Sequence, residues 1–444
     1  MSYRDEVELY AKKMAPVCVE NDTIPDSLFS EYSVNRGLRD LNGKGVLTGL
    51  TGISKVVSFE EQPDGTRVPC EGQLWYRGYN VNDLVHEALS SGFGFERTTY
   101  LLLFGEKPTD DQMEEFKDIL AHSRHLPTNF TRDVIMKAPT QDVMNSMMRS
   151  ILTLASYDED ALSTDITDTI MQCIRLIAIF PMLAVYGYHA YNHYENLSSM
   201  YIHRPDPERS AAENLLMMLR PNMKYDSIEA IVLDICLMLH MEHGGGNNST
   251  FTTRVVTSSG SDTYAAIAAA MASLKGPRHG GANLKVMDMM DDIRAHIRDW
   301  NDEEEIEAYL KKIVDGDAFD HKGLIYGMGH AVYSISDPRE KIFKGFVRRL
   351  AEAKKQGHEL ELYENVEKIA PKVIAEKRKI YKGVSPNVDF YSGFCYSMLN
   401  IPRELYTPLF ATARISGWCA HRLEELVGTS KIIRPAYMSV MKEK

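Results

Sequence analysis

Apolar residues recur at helical spacing along most of this chain. Ile228, Ile231, Val232, Ile235 and Leu239 form one stripe behind Asp226-Ser-Ile-Glu229, a capping-box pattern that predicts a helix start. Asp262 is placed to cap the next helix, whose centre from Ala265 to Ala272 is nearly all small residues. Small side chains let helix axes approach closely, so this helix is expected inside the molecule, and Gly276-Pro277 ends it. Val286, Met290, Ile293, Ile297 and Trp300 mark another stripe, and Val366, Ile369, Val373 and Ile374 a further one. The most apolar stretch, Leu176 to Tyr188, contains Pro181; it is too short to span a bilayer and suits a kinked core helix. One segment departs from helical period. Val56, Val57 and Phe59 precede Pro63-Asp64-Gly65, and Val68, Leu74 and Tyr76 follow, which predicts a small β-hairpin. The first 50 or so residues read as an irregular or helical arm, and no internal repeat or low-complexity tract is visible. The fold class is therefore mostly α, too large and too apolar for a simple four-helix bundle.

Composition narrows the partners. The 444 residues carry 50 Lys+Arg against 62 Asp+Glu, a net charge of −12, which argues against a nucleic-acid or anionic-membrane surface. Local basic pockets for anions remain open. The length allows two or three domains, or one large domain with a smaller lobe. Cys18, Cys70, Cys173, Cys236, Cys395 and Cys419 show no CxxC spacing and read as reduced thiols, so a cytoplasmic location is expected. The start MSYRDEVELYAKK has no apolar core, and no signal peptide is expected.

Candidate chemistry collects at helix ends and glycine-rich breaks. His240 and His243 precede Gly244-Gly-Gly. They could bind a metal, but no HExxH pattern or third ligand follows, so a capped helix end or a pocket-facing histidine is the better reading. His279 sits before Gly280-Gly281 and a helix start that would favour a neutral imidazole or a bound anion; taken alone it is as readily structural. His330 follows Gly327 and Gly329, with Arg339 behind Pro338. A guanidinium there can grip a carboxylate through two bonds, although the segment alone reads as a surface loop and helix start. Asp389, beside Val388, Phe390 and Tyr391, is either a helix N-cap or a base. Arg414 on a small, apolar helix face needs an anion, and Arg434 alone reads as a basic tail. Two pocket histidines, a carboxylate and three arginines suit carbon–carbon chemistry on a small polycarboxylate.

The segments HGGGNNSTFTTRVVTSSGSDTYAAIAAAMASLKGPRHGGAN, GMGHAVYSISDPR, NVDFYSG, LFATARISGWCAHRLEE and IIRPAY together resemble the citrate synthase family, in family order, from about residue 45 onward. The resemblance implies a two-lobed, mostly helical subunit with a small N-terminal β-hairpin. It has an arm at 1–45, a large helical domain at 46–283 and 392–444 holding a dimer interface, and a small helical domain at 284–391 closing over the site. It implies condensation of acetyl-CoA with oxaloacetate and water to citrate and CoA. Alternatives are 2-methylcitrate synthesis from propionyl-CoA and a non-catalytic helical paralogue. By resemblance, His279 binds the thioester oxygen, Asp389 is the base and His330 meets the ketone. His243, Arg339 and Arg414 bind oxaloacetate, and Arg434 reaches the neighbouring site of a homodimer. Ile325, Gly327 and Gly329 lie on backbone that meets CoA. No metal, no other cofactor, no nucleic acid and no membrane is implied.

Overall fold

The computed structural model describes residues 3–39, 45–329, 332–333, 335–378, 384–428 and 431–441. Two helices, α1 (Tyr3–Asp22) and α2 (Asp26–Glu31), come first. A small antiparallel sheet follows, with β1 (Ser54–Glu61), β2 (Arg67–Tyr76) and β3 (Tyr79–Asn80) side by side in that order. The expected Pro63-Asp64-Gly65 turn joins the first two strands. Gly65 takes φ +80°, and Asp64 Oδ1 accepts the Thr66 N–H at 2.9 Å. Ser54 pairs with Tyr76 and Val56 with Leu74, which sends Leu74 and Tyr76 into the core. The predicted hairpin is present, and β3 extends it by a strand too short to leave a period in the sequence.

The rest is helical: α3 (Val81–Ser91), α4 (Gly94–Phe104), α5 (Asp110–Ser123), α6 (Val143–Leu154), α7 (Ile166–Glu195), α8 (Ala211–Leu219), α9 (Ser227–His240) and α10 (Asn248–Ser258). Then come α11 (Thr263–Lys275), α12 (Ala282–His296), α13 (Glu303–Asp315), α14 (Pro338–Lys354), α15 (Gly357–Arg378), α16 (Asp389–Met398) and α17 (Tyr406–Gly428). Asp226 and Glu229 close the expected capping box at the start of α9. Asp262 caps α11 by accepting the Ala265 N–H at 2.8 Å, and the small residues of α11 let it pack between α10, α6 and α17.

Three local expectations need correction. Ile231 is 40% exposed, because it lies a residue off the stripe that Ile228, Val232, Ile235 and Leu239 share. Ile297 and Trp300 fall beyond the end of α12, although Ile297 stays buried. The apolar run around Pro181 belongs to a 30-residue helix, α7, with an 18-residue window of mean hydropathy 1.7. That is long and apolar enough to cross a membrane, yet 78% of the window is buried within the protein. α17, α6, α8 and α5 cover it, which makes α7 the axis of the core.

Residues Thr51–Ile433 form one compact body, and Met1–Leu50 with Arg434–Lys444 form a second. The stretch read as the arm, 1–45, lies within this second body, which also holds the C-terminal segment. All six cysteines are free: Cys18 is exposed, Cys70 half-buried, and the other four are buried.

Candidate active site

The site forms where the last helix crosses the end of α9. Arg414 of α17 is fully buried. Its Nε donates to the His240 carbonyl at 2.6 Å, and the Phe410 ring lies 4.8 Å from the guanidinium carbon. Among the described residues, neither terminal nitrogen has a hydrogen-bond partner. Burial pulls this guanidinium down to about 10 against the pull of Glu242, so it is still a cation at neutral pH. A buried cation with two unfilled donor edges is costly on its own and matches a carboxylate.

Arg339 is built differently. Its Nε and Nη2 hold Asp337 at 3.0 and 2.7 Å, and both residues are buried. Asp337 also caps α14 by accepting the Arg339 N–H at 3.0 Å, with Pro338 in the first helical turn, where a missing N–H does no harm. The Asp337 charge outweighs burial and holds Arg339 above the usual arginine range. The carboxylate thus aims the guanidinium and fixes its charge.

His240 ends α9 and His243 follows it, with different fates. His240 turns into the core, its Nδ1 2.8 Å from the Cys236 carbonyl and its ring edge on Phe410 at 4.7 Å. Burial lowers it to about 3, so it stays neutral. His243 is nearly buried and stands edge-on to Tyr333, with ring centres 5.5 Å apart. Among the described residues no group of three or more His, Cys, Asp or Glu side chains is arranged to hold a metal ion.

His279 lies on the turn between α11 and α12. Its Nε2 accepts the Ser249 backbone N–H at 3.4 Å and sits 3.0 Å from the Ser249 hydroxyl, which in turn accepts the Trp418 indole N–H at 3.1 Å. Taking Nε2 as the acceptor of the Ser249 N–H puts the ring proton on Nδ1. Burial first, and the Arg414 charge second, lower His279 to about 4. It is a neutral donor at pH 7.

Asp389 opens α16 but does not cap it. The Asn387 amide oxygen accepts the Asp389 N–H at 3.0 Å, which leaves the carboxylate unengaged by that helix end. Burial raises Asp389 to about 6, with Asp337 adding to the rise and Arg339 and Arg414 opposing it. The segment before it is tied to the loop at 325–329. Gly329 N–H donates to Ser385 at 2.7 Å, Asn387 N–H to Gly327 at 2.9 Å, and the Asn387 amide to Gly329 at 3.0 Å. Gly327 takes φ +78°, and a Cβ there would strike Phe390 and Val286, so only glycine fits. The Ile325 side chain is buried in the core, so only the backbone of this residue is placed to meet a ligand.

Arg414 acts electrostatically on both His279 and Asp389, and Arg339 on Asp389 and Tyr333, which stands against His243. His243, His279, Arg339, Asp389 and Arg414 therefore share one neighbourhood. His330 lies outside the described residues, directly after Gly329. Arg434 belongs to the second body. Four contributors escaped the sequence reading: Asp337 as a guanidinium clamp, Ser249 and Trp418 behind His279, and Asn387 as the cap. Only Asn387 had a local signal, an asparagine two residues ahead of a helix start.

The family model described as citrate synthase, C-terminal domain, matches residues 41–436. The citrate synthase of Synechocystis sp. is 34% identical over 88% of this chain and 90% of its own length. That of Haloferax volcanii is 36% identical over 87% and 93%. The 2-methylcitrate synthase 1 of Corynebacterium glutamicum is 32% identical over 91% and 95%. Among solved structures, citrate synthase from Pyrobaculum aerophilum superposes with a TM-score of 0.73 at 27% identity, covering 91% of this chain and 92% of that one. Citrate synthase from Thermoplasma acidophilum, in a ternary complex with carboxymethyl coenzyme A and oxaloacetate, gives 0.73 at 26% identity over 92% and 97%.

Proposed function

Because the chain belongs to the citrate synthase family, we propose that it condenses acetyl-CoA with oxaloacetate and water to yield citrate and CoA. The observation that carries this reading is the buried Arg414, with two unfilled donor edges, beside a neutral His279 and the Asp389 carboxylate. The complex of the Thermoplasma acidophilum neighbour supports the same pair of small-molecule substrates.

Arg414, Arg339 and His243 hold the oxaloacetate carboxylates. Asp389 takes a proton from the acetyl methyl group. An ordinary aspartate, with reference pKa ~3.9, is a poor base for a thioester C–H, and burial makes this one stronger. The His279 Nδ1–H donates to the thioester oxygen as enolate charge builds there, and a neutral donor suits that task in a dry pocket. The new carbon nucleophile attacks the oxaloacetate ketone, and His330 meets the resulting alkoxide. Water then cleaves the thioester: its oxygen goes to the new carboxylate and CoA leaves as the thiol. The backbone of Ile325, Gly327 and Gly329 meets the CoA adenine, and residues 284–391 move as the lobe that closes over both substrates. The active form is a cytoplasmic homodimer in which Arg434 completes the neighbouring site. The reaction uses no metal and no further cofactor.

Propionyl-CoA is the competing donor, favoured by the similarity to 2-methylcitrate synthase 1. One methylene changes discrimination by only about 1–3 kcal/mol. The test follows CoA thiol release from acetyl-CoA and from propionyl-CoA, with and without oxaloacetate. Release that requires oxaloacetate, and that falls by about 10²–10⁴-fold in Asp389→Asn, supports the assignment. The ratio of kcat/KM values then names the donor. Folded protein that releases no CoA from either thioester would overturn it.

A further inference from the structure

α17 touches the end of α9 at three successive points. The Arg414 Nε donates to the carbonyl of His240. At Gly417 any Cβ would collide with the Met241 carbonyl oxygen and the Glu242 carboxylate, so helix and loop meet backbone to backbone. At His421, Nε2 meets Glu242 Oε1 at 3.0 Å, and both side chains are fully buried. Residues 414, 417 and 421 share one helical face, and they engage 240, 241 and 242 in turn.

Glu242 stands directly before His243 and holds the backbone on its far side as well. Its Oε1 accepts the Gly244 N–H at 2.6 Å and the Ser54 hydroxyl at 2.8 Å, and the Tyr76 hydroxyl lies 3.1 Å from its carbonyl. His421 is braced from behind. Its Nδ1 faces Glu424 Oε2 at 3.7 Å, and Glu424 Oε1 accepts the Gly52 N–H at 2.6 Å. Burial works against both charges, yet each partner holds the other ionised, with His421 raised to about 9 and Glu242 held down at about 2.

We propose that Glu242 and His421 are positioning residues for the dicarboxylate substrate: their buried pair fixes the loop carrying His243 against the helix carrying Arg414. The proposal rests on the oxaloacetate-binding reading of those two residues. Neither Glu242 nor His421 needs to touch the ligand. A buried ion pair is a weak device for stability, since an apolar replacement of similar volume is often as stable, but it holds a register that apolar packing does not. The register here is the spacing between an imidazole and a guanidinium that must grip one small molecule.

The experiment measures oxaloacetate binding by calorimetry, with no thioester present, for the parent, Glu242→Gln, His421→Gln and the double variant. Each single change is expected to weaken oxaloacetate binding by about tenfold, within the range for coupled neighbours. KM for acetyl-CoA at saturating oxaloacetate should stay within about twofold, the split expected when only one ligand's site is disturbed. The double variant, which can restore an amide-to-amide hydrogen bond, is expected to recover part of the loss. Glu242→Asp keeps the charge but shortens the reach. It stands in if the glutamine variants do not fold, and weaker oxaloacetate binding is again expected. Unchanged oxaloacetate affinity in folded variants, even with a lowered unfolding temperature, means a purely structural pair and overturns the proposal. A parent protein that does not bind oxaloacetate fails the functional reading instead, so the two failures are distinguishable.

Discussion

Asn387 and Asp389 divide one task between two side chains: the amide caps α16, and the carboxylate two residues on keeps its lone pairs. With Asp389 raised to about 6 and His279 lowered to about 4, one titration dominates above pH 5. A base must be deprotonated to act, so kcat/KM for the acyl donor is expected to rise tenfold per pH unit up to about 6 and then level. A pH–rate profile that bends near 4 instead would remove Asp389 from that role. The Glu242–His421 pair gives a second pH signature, in stability. His421 is raised above its unfolded value, so its contribution is complete below about 6.5 and is lost as pH rises through about 9. Glu242 is depressed, so its contribution is present above its unfolded value and is lost only as pH falls through about 2. Glu424 and Arg414 face the same pair; Glu424, held below the usual carboxylate range, stays charged across the alkaline window, and Arg414, at about 10, is half-titrated only above it. Thermal unfolding of the parent should therefore weaken between pH 7 and 9.5, and His421→Gln should flatten that limb. Arg414 and Asp389 were legible because a charge in apolar sequence surroundings demands a reason. Glu242 and His421 were not, since 179 residues separate them and neither is locally unusual.

At the scale of elements, the hairpin does more than its pattern announced. The Glu71 carboxylate of β2 takes the Ser336 hydroxyl and the Lys341 ammonium, and a Cβ on Gly72 would strike the Ser336 carbonyl and the Tyr333 ring. β2 therefore presses on the segment that leads into Asp337 and Arg339. Gly72→Val should destabilise the protein by about 1–3 kcal/mol through overpacking. It should also raise KM for oxaloacetate, and urea unfolding beside steady-state kinetics checks both. An unmoved KM would mean that the loop holds its shape without the strand. The hairpin itself could be read from two-residue alternation and its turn. A glycine within a strand signals close approach but not what approaches, so this contact was hidden. The core helix around Pro181 was legible, but its extent was not: the polar residues that flank the apolar run belong to the same 30-residue helix, with Pro181 buried inside it.

For the whole molecule, helical period foretold a mostly helical fold, while the lobe boundaries at 284 and 391 came from resemblance and not from any break in pattern. The N-terminal arm carries its own expectation. None of its described side chains is buried, so deletion of residues 1–45 should leave the unfolding midpoint of the Thr51–Ile433 body within a few degrees by calorimetry. A large drop would assign the arm a share of core or intersubunit stability.

The central place of α7 has a cost during synthesis. Its principal cover, α17, begins only at Tyr406, far along the chain from Glu195, where α7 ends. About 200 residues must be made after α7 before α17 exists, which at ribosomal speed takes roughly 10–40 s. Through that interval α5, α6 and α8, but not α17, are at hand to cover a helix whose 18-residue window has mean hydropathy 1.7. The core axis of this protein is therefore completed by a partner helix that the ribosome delivers long after the axis itself.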